Sequence, residues 1–433
     1  MRKISQALAQ FFSFYLPDAL SFSLILSVFV FAAALIGTPT SPLKLLSFWG
    51  DSLWSLHTFA MQMVLILLLG HLLAQSPPAK KTLGYLASLP KNEGSAIVLL
   101  VVLSSFACWL NWGAGLMSAA ALAISFKQRF ARLHFGYLVA TGYAGFLVWH
   151  GGLSGSIPLS VAGEDKILVN QGLSALPLSA TILSAHNIAL VLVLVVALSL
   201  TALFLKTYTK DETLEVSVTE PMPTHGEAKT FSEKWQANPW CLRLVGLVGF
   251  IYLLIYFMNE GGFHINSVNL IFFFLVLLSY GSIFSFTREL DKSVRVVAPI
   301  LIQYPLYAGI MGMIQNSGLA EVMSQFFVNL STLKTFPLFS FLSAGLVNFF
   351  VPSGGGQWII QGPIMLKAAQ ELNVPIEKVV MAISWGDAWT NMIQPFWALP
   401  LLSMARMELK DIMSFCIIYL IVSGVVIASF MLI

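Results

Sequence analysis

The residues that could do chemistry in this chain are few, and they sit where an apolar sequence tolerates them least. The segment Ser384-Trp-Gly-Asp387-Ala-Trp-Thr-Asn391-Met-Ile-Gln394-Pro395 carries Ser384, Asp387, Asn391 and Gln394 at helical spacing. At about 100° per residue these four fall within an arc of about 80°, a narrow polar stripe on an apolar helix. Pro395 has no backbone N–H, so the helix is expected to break beside it. Asp387 is the only carboxylate expected deep in a membrane-spanning segment. An acid there suits a proton carrier, a cation ligand or a gate. The plainer alternative is an Asp hydrogen-bonded to a neighbouring helix for structure.

A second candidate is Ser353-Gly354-Gly355-Gly356, followed by Gln357-Trp358-Ile-Ile-Gln361. Three glycines leave backbone amides open to a ligand, and a helix restarting at Gln357 aims its positive N-terminal end at an anion. Gln357 and Gln361 share a helix face at i, i+4. Asn111-Trp112-Gly113-Ala-Gly115 interrupts an earlier apolar run in the same manner. A further break, Trp149-His-Gly-Gly-Leu-Ser-Gly-Ser156, makes His150 and Ser154 conspicuous, with a loop or headgroup position as the competing reading. His57 and His71 read as interfacial residues near the ends of their helix, and Tyr304, Pro305 and Tyr307 as packing at a kink beside Gln303. Cys108, Cys241 and Cys416 have no metal-ligand spacing and read as small core residues.

These residues belong to a chain of 433, of which 57% are hydrophobic and 10% charged, with a net charge of +3. A soluble chain carries about 25% charged residues. The composition therefore excludes a cytosolic enzyme, a nucleic-acid binder and a disulfide-stapled secreted domain, and points to an all-α polytopic membrane protein. Spans are expected near 16–36, 53–74, 134–150, 185–205, 241–258, 267–287, 297–316, 378–403 and 412–432. The first is too long for a cleavable signal and lacks a small-x-small site. Two apolar stretches, 95–126 and 336–366, are too long for one crossing and too short for two with a loop. Each is interrupted near its middle, so both read as re-entrant hairpins, which membranes tolerate only where protein or water surrounds the broken backbone.

Orientation follows from the basic residues. With the N-terminus cytoplasmic, the predicted inner loops hold 18 of the 23 Lys and Arg residues, and Lys44, Lys166, Lys334, Lys367 and Lys378 remain outside. That bias obeys the positive-inside rule; it places the C-terminus outside and admits one hairpin from each side. The halves also match at a fixed offset: Asn111 with Ser353, Gly113 with Gly355, Ala140 with Ala382 and Pro158 with Pro400 are all 242 apart. The expectation is an inverted-repeat secondary transporter with two re-entrant hairpins and broken transmembrane helices. Residues 1–205 form the first repeat, 206–240 a polar cytoplasmic linker, 241–258 a connecting transmembrane helix and 259–433 the second repeat. Gly142, Gly145 and Gly152 stand opposite Ser384, Asp387 and Gln394, so the second half would supply side chains and the first backbone. With no Lys or Arg expected at mid-membrane depth, a small, weakly charged solute fits better than a polyanion.

The run Asn348-Phe-Phe-Val-Pro-Ser-Gly-Gly-Gly-Gln-Trp-Ile-Ile-Gln-Gly-Pro-Ile364, with Trp385-Gly-Asp-Ala-Trp-Thr-Asn-Met-Ile-Gln-Pro-Phe-Trp-Ala-Leu-Pro400, resembles the bacterial short-chain fatty acid transporter family. Tyr15-Leu-Pro-Asp18, Trp49-Gly-Asp51, Met61-Gln-Met63, Asn111-Trp-Gly113 and Ser317-Gly-Leu319 follow the family's landmarks in order. The resemblance implies uptake of acetoacetate and butyrate across the bacterial inner membrane. A more distant likeness to the ion transporter superfamily implies substrate and coupling ion at the hairpin tips, an elevator-like motion and a homodimer.

Together these readings set the expected site. Asn111, Trp112 and Gly113 face Ser353, Gly354, Gly355, Gly356 and Gln357 across a small carboxylate. Asn391 and Gln394 orient its acyl chain or keto oxygen, Trp358 and Trp389 give apolar contact, and Asp387 carries a proton or helps hold a sodium ion. No other cofactor, no metal site and no nucleic-acid partner is expected; the partners are the carboxylate and membrane lipid. A carrier for another organic anion, such as a dicarboxylate, and a hairpin-lined anion channel are the alternatives. A hydrolase would need a nucleophile with a base or a metal, and no such motif is present.

Overall fold

Helices in this chain end where a residue cannot continue them or where a side chain offers the backbone a better partner. The computed structural model describes residues 19–163, 165–209, 230–259, 265–351 and 353–433, and among these every regular element is helical. Tyr15–Asp18 and most of the expected linker lie outside the described residues; its last part forms a short helix, Phe231–Ala237. Among the described residues, four helices are long and apolar enough to cross a membrane: Glu93–Leu110, Ala185–Lys206, Trp240–Met258 and Lys410–Met431. This is a multi-pass membrane protein.

The two interrupted stretches fold back on themselves. Glu93–Leu110 and Trp112–Arg129 form the first hairpin, and Phe336–Phe350 and Gly354–Leu372 the second. Their arms run 18 and 18 residues, then 15 and 19. Several are thus longer than half of a stretch bounded at 95–126 or 336–366, because the helices continue into the charged flanks. Gly115 lets the first hairpin close: a Cβ there would lie 2.4 Å from Cys108 Sγ and 2.6 Å from its backbone nitrogen.

One expected boundary is wrong. The spans at 267–287 and 297–316 were to be joined by a charged loop, but the first helix is Ile265–Ser279 and the next runs unbroken through Ile283–Ser317. The turn is set by Gly281 and by Ser282, whose hydroxyl caps the new helix by accepting from the Ser285 amide at 3.1 Å. Arg288 to Arg295 are strong helix formers in the main and stay helical. Lys292 pairs with the mostly buried Glu289 at 3.1 Å. His71 is buried rather than interfacial; its Nδ1 lies 2.7 Å from Ser293 Oγ on that long helix.

Element order recurs through the chain. Each hairpin is followed by a helix that breaks. Phe135–Ala144 passes into a 3-10 turn, Gly145–Gly151, and then Ser156–Val161; Ile376–Thr390 passes into Asn391–Ile393 and then Pro395–Ala405. Ser156–Val161 packs on the return arm of the second hairpin, and Pro395–Ala405 on the return arm of the first. Each half's broken helix therefore covers the other half's hairpin.

Substituting Gly115 should test the hairpin closure. Gly115→Val, forced against Cys108 backbone, is expected to cost about 1–3 kcal/mol and to lower the melting temperature in detergent. Gly84→Ala, on the exposed helix Pro77–Ser88 with nothing within 4 Å of the added carbon, should not.

Candidate functional site

The two hairpin tips are built alike. Asn111 is extended at φ −154°, ψ 115°, and Ser353 at φ −154°, ψ 109°. Each side chain caps the helix that follows: Asn111 Oδ1 accepts from the Ala114 amide at 3.0 Å, and Ser353 Oγ from the Gly356 amide at 3.2 Å. The next amides, of Gly115 and Gln357, donate to the cap residues' own carbonyls at 2.8 and 2.7 Å. The first two amides of each helix, on Trp112 and Gly113 and on Gly354 and Gly355, have no acceptor within the helix. Both helix starts thus present N–H groups and a positive dipole end.

Both tips line one cavity. Its wall includes Asn111 and Trp112 from the first tip, Gly354 from the second, and Trp149, Ser156 and Trp397 from the two broken helices. The three tryptophans pack edge-to-face or tilted, with ring centroids 6.3 Å apart for Trp112–Trp149, 5.2 Å for Trp112–Trp397 and 5.6 Å for Trp149–Trp397. Trp149 Nε1 is buried with no hydrogen-bond partner among the described residues. No residue of the wall carries a positive charge. The free space is about 20 Å³, room for a water molecule.

The other expected residues lie behind this wall. Gly113 packs on Ile66, whose Cγ2 would be 2.7 Å from an added Cβ. Gln357 Nε2 donates to Ala344 O at 2.9 Å and Gln361 Oε1 at 3.0 Å, and Gln361 Nε2 to Ser343 Oγ at 2.8 Å. These amides tie the second hairpin's arms together. Asn391 and Gln394 gather round Asn348, not round the cavity. Asn348 Nδ2 donates to Asp387 O, Thr390 Oγ1 and Asn391 Oδ1 at 2.8, 2.9 and 2.7 Å, and Gln394 Nε2 donates to Asn348 O. Tyr143 of the first half donates to Asn391 O at 2.6 Å. The stripe thus holds the helix break, which needs polar side chains because Pro395 and the turn free its backbone groups.

Trp358 and Trp389 are also displaced from their expected role. Trp358 Nε1 donates to Asp165 Oδ2 at 3.1 Å and Trp389 Nε1 to Leu420 O at 2.7 Å, and neither ring lines the cavity. The cavity's tryptophan wall includes Trp149 and Trp397 instead. Both stand in interrupted segments, a signal the sequence carried.

Asp387 is fully buried. The Asn391 side chain lies beside it, yet neither carboxylate oxygen completes a hydrogen bond of normal geometry among the described residues. His150 Nδ1 stands 3.2 Å from Asp387 Oδ1, and 2.9 Å from Ser384 O. His150 is therefore no loop or headgroup residue; it is buried between the halves. Ser154, the other conspicuous residue there, donates to Cys108 O at 2.8 Å.

Residues 1–433 match the family described as "Short chain fatty acid transporter". The chain belongs to that family. It is 38% identical over 435 residues to the Escherichia coli K12 protein named "Putative short-chain fatty acid transporter", covering 98% of each chain. A Haemophilus influenzae protein of the same name is 36% identical over 431 residues, covering 97% of this chain and 96% of the other. Among solved structures, the Alcanivorax borkumensis YdaH transporter is similar with a TM-score of 0.46 at 16% identity, covering 95% of this chain and 98% of that one.

The second tip gives a sharp test. A Cβ on Gly354 would lie 2.5 Å from both His150 Cε1 and Ser156 Oγ, whereas one on Gly356 meets nothing closer than 3.3 Å. Gly354→Ala should weaken carboxylate binding about tenfold, or about 1.4 kcal/mol, and Gly356→Ala clearly less, as read from competition against labelled butyrate.

Proposed function

We propose that this transporter takes up short-chain monocarboxylates such as acetoacetate and butyrate across the bacterial inner membrane, driven by protons. The observation that carries this reading is the meeting of two N-capped helix starts at one tryptophan-walled cavity. Helix-start amides without a helical acceptor and two positive dipole ends suit a single carboxylate, and aromatic walls suit a short acyl chain. A dicarboxylate would leave its second charge against Trp112, Trp149 and Trp397, with no basic side chain to meet it.

Asp387 carries the coupling proton. Burial disfavours a lone carboxylate charge strongly enough that such a group binds a proton or a cation. Its nearest ionisable neighbour is the imidazole of His150, a group suited to protons, rather than a ring of oxygens suited to sodium. The excess of basic residues in the predicted inner loops supports a cytoplasmic N-terminus and an outer C-terminus.

Purified protein in liposomes tests this directly. Saturable uptake of labelled acetoacetate and butyrate should follow an inward proton gradient; uptake that follows sodium alone would reject proton coupling. Asp387→Asn is expected to abolish gradient-driven uptake while counterflow exchange continues. Normal gradient-driven uptake in that variant would remove Asp387 from the coupling.

A further inference from the structure

The proton reading leaves a gap, because Asp387 is fully buried and does not line the cavity. A proton arriving with the substrate needs a path to it. We propose that Ser156 and His150 are that path, a two-residue relay from the cavity wall to the Asp387 carboxylate. The proposal rests on the reading of Asp387 as the proton carrier.

The geometry sets the direction of every link. His150 Nδ1 faces Ser384 O at 2.9 Å and Asp387 Oδ1 at 3.2 Å. A backbone carbonyl only accepts, so Nδ1 carries the hydrogen in the resting ring and Nε2 carries a lone pair. Nε2 lies 3.0 Å from Ser156 Oγ, whose hydroxyl therefore donates to it. Ser156 is half-buried and lines the cavity together with Gly354. The chain of contacts from cavity to acid is thus Ser156 Oγ, His150 Nε2, His150 Nδ1, Asp387 Oδ1.

Proton loading balances along it. A cavity proton joins Ser156 Oγ as the hydroxyl passes its own hydrogen to Nε2, and the Nδ1 hydrogen, which rests on Ser384 O, swings to the adjacent Asp387 Oδ1 and passes to it. Asp387 ends neutral and the imidazole ends as the other tautomer. Unloading by the same route returns the ring hydrogen to Nδ1, so the imidazole need not turn over. Turning would be hindered: Trp149 stacks on the ring with centroids 3.6 Å apart at 22°, and the Gly354 backbone abuts its Cε1–Nε2 edge. Of the charged groups on elements packed round the ring, Asp387 alone comes within ion-pair distance among the described residues. Ser156 and Gly354 complete its surroundings on the cavity side and bring no further charge.

A larger cavity of about 340 Å³ is lined by Asn187, Glu377, Lys378 and Trp385 among others. Trp385 and Asn187 are bonded to each other at 3.0 Å, and Asn187 Nδ2 donates to Gly151 O at 2.9 Å. Neither the indole nor the amide passes a proton readily.

The test compares net proton uptake, read by a pH dye trapped in liposomes on addition of butyrate, with counterflow exchange of labelled butyrate in the same preparation. Exchange moves the loaded carrier without unloading the proton, so the ratio of the two isolates proton access. His150→Gln and Ser156→Ala should each lower that ratio at least about tenfold, and Ser156→Thr, which keeps the hydroxyl, should restore it. An unchanged ratio in both variants would mean that protons reach Asp387 another way, such as past Trp385, and would overturn the relay. A parallel fall in both fluxes would make the two residues structural and overturn it too. Absence of butyrate-dependent proton uptake in the wild-type protein would instead reject proton coupling itself, before either variant is considered.

Discussion

A helix broken inside an apolar protein frees backbone groups that only the protein can satisfy, and much of this molecule is arranged round that constraint. Gly151 O accepts from Trp109 Nε1 and Asn187 Nδ2, both at 2.9 Å. Asn391 O accepts from Tyr143, Cys108 O from Ser154, and Asp387 O from Asn348. These contacts tie breaks to helices distant in sequence, and one of them, Tyr143 to Asn391, joins the two halves. At the hairpin tips the capping is only partial: the third amide is met by Asn111 or Ser353, while the first two have no helical acceptor. Those are the groups a carboxylate can complete.

Uncapped amides at the tips and side-chain amides that donate to the protein behind them divide the polar groups into two kinds. Gln357, Gln361, Asn348 and Gln394 spend their amides on the protein's own backbone and side chains. They fix where the tips stand. Trp149 Nε1 and the tip amides remain open to a ligand. A polar side chain in an apolar segment is therefore not by itself a binding residue; what it faces decides.

The halves share a plan and differ in chemistry. Asn111 and Ser353 adopt the same extended conformation and cap in the same way, at the same place in the repeat. The acid has no such twin. Gly145 stands at the corresponding position of the first half and closes against Ser104. The first half contributes His150 instead, from its own break, so a charged group from one half and an imidazole from the other meet between them.

The sequence by itself determined the class, most of the spanning helices and the breaks. Apolar runs of spanning length, Asn111, Ser353 and Pro395 state them locally, because caps, proline and glycine act on their own few residues. It also made Asp387 conspicuous, since a carboxylate stands out from apolar neighbours. Tertiary structure alone decided partners. Whether Gln394 faces a cavity or Asn348 depends on how the second half folds on itself, and whether Trp358 or Trp397 forms the wall and whether His150 meets lipid or Asp387 depend on how the halves pack across each other. Side-chain periodicity names a helix face, but the partner of that face lies some 200 residues away, in packing that no local pattern encodes.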